Sequence, residues 1–320
     1  MKALPRLSLA ALPTPLRRAE RLERALRAPP LWIKREDLAG FALAGNKVRK
    51  LEFLVADALE RGCDTMLTGG GPGSNHCQAT AAAARVAGLA CSLVLYGQEP
   101  SPAPANLRLA RSFGAEVRFT GDPDRASVDR TLEEEAARLA AEGGRPYVVP
   151  RGGATALGAV GYALAVEELA GQLAGEGVEP QMVVVATGSC GTQAGLVAGT
   201  VGGGHPWRVV GASVSRPPGE CRGRVLLLAE ECASLLGVPP PRDDNVEVLD
   251  ARGPGYGVPS AEGAEAADLA AGTEGLLLDP VFTAKAMGAL IGMVRQGRDG
   301  PLVFIHTGGT TALLEERGFG

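Results

Sequence analysis

The feature that most constrains this chain is a regular alternation. Short β-branched runs take turns with Ala/Leu/Arg/Glu-rich stretches of helical spacing. The strand candidates are Leu31 to Lys34, Thr65 to Leu67, Ala90 to Leu95, Glu116 to Phe119, Pro146 to Val149, Met182 to Ala186, Arg208 to Ser213 and Leu302 to His306. Between them lie helical patterns at Val48 to Arg61, Gln78 to Val86, Ala105 to Phe113, Ser127 to Ala141, Ala156 to Leu173, Thr192 to Thr200 and Gly223 to Leu236. Such alternation implies an α/β fold with open, mostly parallel sheets. Parallel sheets bind ligands at the carboxyl ends of their strands. The Gly-rich segments that follow apolar runs are therefore where chemistry is expected.

Composition narrows the class. With 320 residues, there is room for two lobes. Aromatics make up only 4% of the chain, so small and aliphatic side chains must fill its core. A net charge of −4 gives no electrostatic case for nucleic acid or an anionic membrane. The N-terminus is broken by Pro5 and runs into an Arg/Glu-rich stretch from Arg17 to Arg27, with no apolar run of signal or membrane-spanning length. The expectation is a soluble cytoplasmic protein. The six cysteines form no C-x-x-C pair and read mostly as buried thiols. His76, His205 and His306 lie far apart in no zinc spacing, so no metal is expected.

Four segments carry chemistry. Only five of the thirty-two basic residues are lysines, and one, Lys47, follows Gly45-Asn46. A chain that otherwise prefers Arg keeps a lysine there for its amine, which can form an imine and lose its proton when desolvated. The turn Thr187-Gly188-Ser189-Cys190-Gly191-Thr192 follows an apolar run and opens a small-residue helix. That is either a tight β–α turn or a cup of backbone N–H groups for a phosphate. In it Cys190 is expected to contribute its backbone N–H, while Thr187, Ser189 and Thr192 offer hydroxyl donors. The loop Thr68 to His76 ends in Ser74-Asn75-His76 before an Ala-rich stretch. Ser74 and Asn75 either cap that helix or offer donors to a ligand, with His76 aimed into the same space. The strand ending in His306-Thr307-Gly308-Gly309 and the loop displaying Tyr256 complete the set. Neither a Walker loop nor a dinucleotide fingerprint is present. A cofactor with an aldehyde for the lysine and a phosphate for the Gly-rich turn satisfies the set, and pyridoxal 5′-phosphate is that cofactor.

The same residues carry a family resemblance. Lys34-Arg35-Glu36-Asp37-Leu38 followed by Gly45-Asn46-Lys47-Val48-Arg49-Lys50-Leu51-Glu52 resembles the opening of the D-cysteine desulfhydrase / 1-aminocyclopropane-1-carboxylate deaminase family, of the tryptophan-synthase-β type. Further similar segments run through nearly the whole chain. They include Gly73-Ser74-Asn75-His76, Gly152 to Gly158, Gly255-Tyr256-Gly257-Val258-Pro259, Leu278-Asp279-Pro280-Val281 and His306 to Gly309. The resemblance implies two open, mostly parallel twisted-sheet domains with the cofactor in the cleft between them. Residues 1–50 and 158–320 would form the larger domain and 51–157 the smaller, inserted one. It implies that Lys47 joins the cofactor as an imine and that Asn46 lies beside it. Asn75 would bond the ring 3-oxygen, the Thr187 to Thr192 loop would hold the phosphate, and Thr307 would face the ring nitrogen. Ser74 and the Asn75/His76 backbone would grip a substrate carboxylate, and Tyr256 would sit near the substrate. A homodimer is also implied.

Three positions bear on the substrate. His76 and Thr307 resemble the desulfhydrase branch. Phe282 stands where the family pattern has Tyr after Asp-Pro-Val, which argues against aminocyclopropane ring opening and alters the substrate side of the site. The sequence reading is a β-elimination lyase acting on a small amino acid, with D-cysteine the favoured substrate. The products would be pyruvate, sulfide and ammonia. Its rivals are an L-cysteate sulfo-lyase or another β-substituted alanine lyase, an inactive relative, and a nicotinamide-dependent oxidoreductase that would leave Lys47 without a role.

Overall fold

The computed structural model describes residues 2–314 and contains two sheets. The first has six strands: β1 (Leu16–Arg18), β2 (Leu31–Lys34), β7 (Met182–Thr187), β8 (Arg208–Ser213), β9 (Glu247–Asp250) and β10 (Leu302–Ile305). Their spatial order is β1-β2-β10-β7-β8-β9, and every pair is parallel except β1 with β2. The second sheet has four strands, all parallel, in the order β5-β4-β3-β6. These are β3 (Thr65–Gly70), β4 (Ala90–Leu95), β5 (Glu116–Phe119) and β6 (Pro146–Val149).

Alternate side chains of the large sheet enter opposite layers, as period-two geometry requires. Trp32, Val183, Val185, Val303 and Ile305 pack with helices α6 (Ala156–Gly175), α7 (Gly191–Gly202) and α8 (Pro218–Leu236). Leu31, Ile33, Met182, Val184 and Phe304 pack on the other side with α1 (Glu20–Leu26), α9 (Ala261–Glu274) and α10 (Thr283–Arg295). Helices on both faces explain why these strands are apolar throughout rather than alternating. In the small sheet, Met66, Leu93 and Leu95 pack with α2 (Lys47–Glu60), α3 (Asn75–Val86) and α4 (Ala105–Ser112), while Leu67 and Val94 pack with α5 (Ser127–Ala141).

One buried ion network ties α2 to the large sheet. The Arg49 guanidinium donates to both oxygens of Glu36 (2.6 and 2.9 Å) and both oxygens of Glu168 on α6 (2.9 and 3.1 Å). Lys34 of β2 also donates to Glu168, and the Tyr162 hydroxyl donates to Glu36 (2.9 Å). Each buried charge therefore has a counter-charge and further hydrogen bonds, the condition under which such groups persist in a core. Arg49 is the third residue of α2, two positions after Lys47, so the network anchors the start of that helix.

Every expected strand and helix is present, with changes at the ends. Helices α2, α3, α7 and α8 begin earlier than their apolar patterns. Ser74 alone caps α3, its Oγ accepting from Cys77 N–H (3.2 Å), and Asn75 is the helix's first residue rather than a cap. The elements not anticipated are β1, β9, α1, α9 and α10. Among the described residues no helix is long and apolar enough to cross a membrane.

Candidate active site

Lys47 owes its place to a strained turn. Ala42 and Leu43 both adopt positive φ (46° and 54°), and Gly45 follows at 52°. A Cβ on Gly45 would stand 2.4 Å from the Thr307 carbonyl oxygen, so only glycine allows this approach. The Asn46 N–H then donates to that same carbonyl (3.0 Å). The turn before α2 is thus clamped to the segment after β10, and Lys47 and Thr307 face one space.

The Lys47 amine donates to Asn46 Oδ1 (2.6 Å), and Asn46 Nδ2 donates to Thr192 Oγ1 (3.0 Å). Part of Lys47 opens on the cavity, but its amine is packed deeply enough that desolvation draws its pKa down to about 8, against the opposing field of Asp279. Asp279 itself caps α10, taking the N–H groups of Val281, Phe282 and Thr283 (2.9 to 3.0 Å) and the Thr283 hydroxyl (2.7 Å).

The Thr187 to Thr192 turn joins β7 to α7. Cys190 adopts φ 77° as the residue before the helix, which turns successive N–H groups toward one point. Among the described residues no hydrogen bond uses the N–H groups from Ser189 to Gln193. The Thr187 hydroxyl is committed to Gln193 Oε1 (2.8 Å), which corrects its reading as a free donor. The Thr192 hydroxyl accepts from Asn46 and keeps its own proton to donate. Sequence reasoning gave no role to Lys50, whose buried amine makes one long bond to the Gly152 carbonyl (3.3 Å) and lies 3.2 Å from where a Cβ on Gly191 would stand. Burial first, then the charge of Lys47, pushes its pKa well down. An anion at the start of α7 would relieve that.

Across the cleft, Asn75 Oδ1 accepts from Asn106 Nδ2 (2.8 Å) and the Thr311 hydroxyl (3.1 Å). Its Nδ2 keeps no partner among the described residues and lines the cavity. His76 is turned inward. Thr68 spends its proton on the Val149 carbonyl (2.7 Å), so its oxygen accepts from His76 Nε2 (3.0 Å). The Nδ1 lone pair is then left buried without a partner, and burial together with Lys47 and Lys50 holds the ring neutral. Such a ring supports the loop and leaves ligand contact to backbone N–H groups. The Thr307 hydroxyl also lacks a partner among the described residues and faces the cavity.

Tyr256 meets Phe282 edge-on, ring centroids 6.0 Å apart at 73°, and the Arg125 guanidinium lies 4.2 Å from the Tyr256 ring centroid. Every candidate site residue read from the sequence except Gly191 lines this one cavity of about 330 Å³, which also receives Arg125, Arg151 and Asp279. Gly191 sits just behind its wall, against Ala154 and Lys50. The arrangement brings a neutralisable amine, an anion cup, a ring-sized slot and carboxylate donors together. No cluster of His, Cys, Asp and Glu among the described residues is arranged to hold a metal.

Comparison with known proteins gives the same picture. Residues 7–308 match the family described as pyridoxal-phosphate dependent enzymes. The chain is 43% identical over 321 positions to a D-cysteine desulfhydrase of Salmonella choleraesuis, covering 97% of this chain and 95% of the relative. A D-cysteine desulfhydrase of Yersinia enterocolitica is similar to the same extent. A crystal structure of an ACC deaminase homologue superposes with a TM-score of 0.90 at 38% identity, covering 97% of this chain and 93% of the other. A fungal L-serine ammonia-lyase from Rhizomucor miehei shares the fold, with a TM-score of 0.68 at 18% identity over 95% of each chain.

Proposed function

The chain belongs to the pyridoxal-phosphate dependent enzyme family, and from that premise we propose that it is a carbon–sulfur lyase converting D-cysteine to pyruvate, sulfide and ammonia. The observation that carries the reading is the Lys47 amine, drawn down to about pKa 8 in the same cavity as the unfilled N–H groups of the α7 turn. Near-full-length identity of 43% to D-cysteine desulfhydrases selects the substrate.

The residues fit the cofactor on their own chemistry. The N–H groups from Ser189 to Thr192, the Thr192 hydroxyl and the Lys50 amine would hold the phosphate, as donors with no better partner. Asn75 Nδ2 would hold the ring oxygen, and the Thr307 hydroxyl the ring nitrogen. When bound, the cofactor supplies an aldehyde that joins amines and a ring that draws off the electron pair of a broken Cα–H bond.

The chain's own residues do the rest. Ser74 Oγ already accepts from Cys77 N–H, so its proton is free to donate to a substrate carboxylate. The N–H groups of Asn75 and His76 open α3 and add to that grip. Lys47, held at Asn46 Oδ1, takes the α-proton at Nζ, because burial draws its pKa down to about 8 and so makes the neutral amine accessible at mildly alkaline pH. Tyr256 and Phe282 close the substrate side, and the Phe282 ring excludes water without offering a proton. The reading includes the division into 1–50 with 158–320 and 51–157, and a homodimer, both supported by the family resemblance. A cytoplasmic location is supported by six cysteines standing as free thiols.

A panel of D- and L-cysteine, β-chloroalanine, O-acetylserine and aminocyclopropane-carboxylate, run on cofactor-loaded protein, tests the function. D-cysteine should release pyruvate and sulfide in equal amounts, faster than the other substrates. Keto acid from the other substrates (pyruvate, or 2-oxobutanoate from aminocyclopropane-carboxylate) but none from D-cysteine would overturn the assignment.

A further inference from the structure

Of the six free thiols, Cys190 stands where a side chain is least expected. It is the residue before α7, and its φ of 77° lies in the left-handed region that favours glycine. Glycine serves at the neighbouring positions 188 and 191 of the same turn. The turn offers its ligand only backbone N–H groups at this position, so the thiol has no part in the chemistry above. It is buried, yet it lines the cavity.

A second thiol meets it. The strands that lead to the two cysteines end side by side, with Thr187 of β7 opposite Ser213 of β8. Cys221, at the start of α8, is fully buried in the same apolar layer as Cys190. Ser213 donates its proton to the Arg216 carbonyl (2.6 Å), so its oxygen accepts from the Cys221 thiol (3.2 Å). The Cys221 sulfur accepts in turn from Cys190, whose other contact is a long one to the Gly188 carbonyl (3.9 Å). That shared bond, then burial, raises the Cys190 pKa, while the same bond draws Cys221 down with help from Arg216. Arg224, in the same cavity wall, adds positive charge beside Cys190. The pair is therefore unequal: Cys190 faces the cavity with a proton, and Cys221 stands behind it as a base.

We propose that Cys190 and Cys221 form a disulfide lock, driven by hydrogen peroxide, that closes the phosphate turn of the cofactor-free protein. The step balances. Cys221 takes the Cys190 proton, and the Cys190 sulfur attacks the O–O bond, becoming a sulfenic acid as hydroxide leaves. The Cys221 sulfur then displaces hydroxide from the sulfenic sulfur. The two sulfurs lose two electrons, the peroxide gains them, and both thiol protons end in two molecules of water. A small dithiol reverses the bond by exchange. A disulfide holds its sulfurs about 2.05 Å apart, far closer than hydrogen-bonded thiols. Closing that gap draws Cys190 toward α8 and takes the N–H groups from Ser189 to Thr192 off their common point. A phosphate seated in the turn opposes that movement and covers Cys190. The inference goes beyond the lyase reading and uses only the cofactor's phosphate.

The test exposes the full chain to hydrogen peroxide, free of cofactor and loaded with it, as wild type and as Cys221→Ser. Peptide mass analysis without reduction reads the crosslink, and absorbance reads the uptake of pyridoxal phosphate afterwards. Cofactor-free wild type should gain a Cys190–Cys221 crosslink and bind pyridoxal phosphate about tenfold or more weakly, with dithiothreitol restoring it. With cofactor at about a hundred times its Kd, crosslinking should slow by at least about tenfold, because the free protein alone reacts. Oxidised Cys221→Ser should keep its cofactor affinity to within about twofold of the untreated variant. If Cys221→Ser does not fold, Cys190→Gly, which suits the positive φ, must resist peroxide in the same way. No crosslink in cofactor-free wild type would overturn the proposal, as would a crosslink that leaves cofactor affinity unchanged. Equal crosslinking rates with and without cofactor would also overturn it, and so would an equal loss of affinity in Cys221→Ser, which would place the damage elsewhere. Turnover is not read, so failure of the lyase reading would leave each of these outcomes as it is.

Discussion

At the scale of single residues, the chemistry depends on how much of Lys47 is neutral. Its pKa is lowered, from 10.5 to about 8, so the amine is protonated below about 8 and free above it. Covalent capture of pyridoxal phosphate by cofactor-free protein needs the free amine. Its rate should rise about tenfold per pH unit up to about 8 and then level off, where an ordinary lysine would keep rising to about 10.4. Stopped-flow absorbance on cofactor-free protein measures this directly, with Lys47→Ala as the control that shows no covalent phase. A rate still climbing steeply at pH 9 would mean the amine is not desolvated. Lys47 was legible in the sequence because lysine is so scarce in it. Lys50 carried the same signal but needed the helix register, which sets it one turn on and on the same side. Arg125, which also lines the cavity, had no local signal at all, since its stacking partner Tyr256 comes from a distant loop.

At the scale of elements, α6 and α7 approach more closely than helices with ordinary side chains allow. A Cβ on Gly195 would lie 2.1 Å from the Ala159 carbonyl oxygen and 2.6 Å from Tyr162 Cβ. On the other face of α6, a Cβ on Gly161 would lie 2.2 Å from the Arg49 carbonyl oxygen. Gly195→Ala should therefore destabilise the protein by about 1–3 kcal/mol through overpacking. Gly171, also within α6, has nothing within 4 Å of a Cβ, so Gly171→Ala should stabilise by about 0.5–1 kcal/mol. Denaturant midpoints of the two variants should move in opposite directions; movement in the same direction would refute the packing account. The same close approach explains which elements the sequence concealed. Helices α9 and α10 are rich in Ala and Gly, and Gly288 lets α10 approach the Glu262 carbonyl of α9, where a Cβ would stand at 2.8 Å. Glycines that read as breaks are in fact contact points. Strands β1 and β9 are edge strands of three and four residues with charged side chains, too short for alternation to register. The central strands were legible because burial on both faces makes them uniformly apolar.

At the scale of the whole molecule, the cavity is walled from both sheets: Ser74 and Asn75 come from the α3 side, and Thr187 to Thr192 and Thr307 from the large sheet. A cofactor held at both ends couples the two units, so its removal should be felt in stability as well as in activity. A ligand present at a hundred times its Kd adds about 2.7 kcal/mol to folding stability. For a chain of this size that is several degrees in Tm, since each kcal/mol is worth about 2–4 °C. The attribution to particular groups can be separated from mass action alone. The phosphate donors lie on α7 and at Lys50, so pyridoxal without its phosphate should restore only a small part of the lost Tm. Amide exchange should also slow on cofactor binding at two places far apart in sequence, the N–H groups from Ser189 to Gln193 and those opening α3 at Asn75 and His76. Protection confined to the α7 turn would show that the small sheet does not close on the cofactor. Equal rescue by pyridoxal would remove the phosphate cup from the account, because the unfilled N–H groups of α7 and the buried Lys50 amine would then be satisfied by something other than the phosphate.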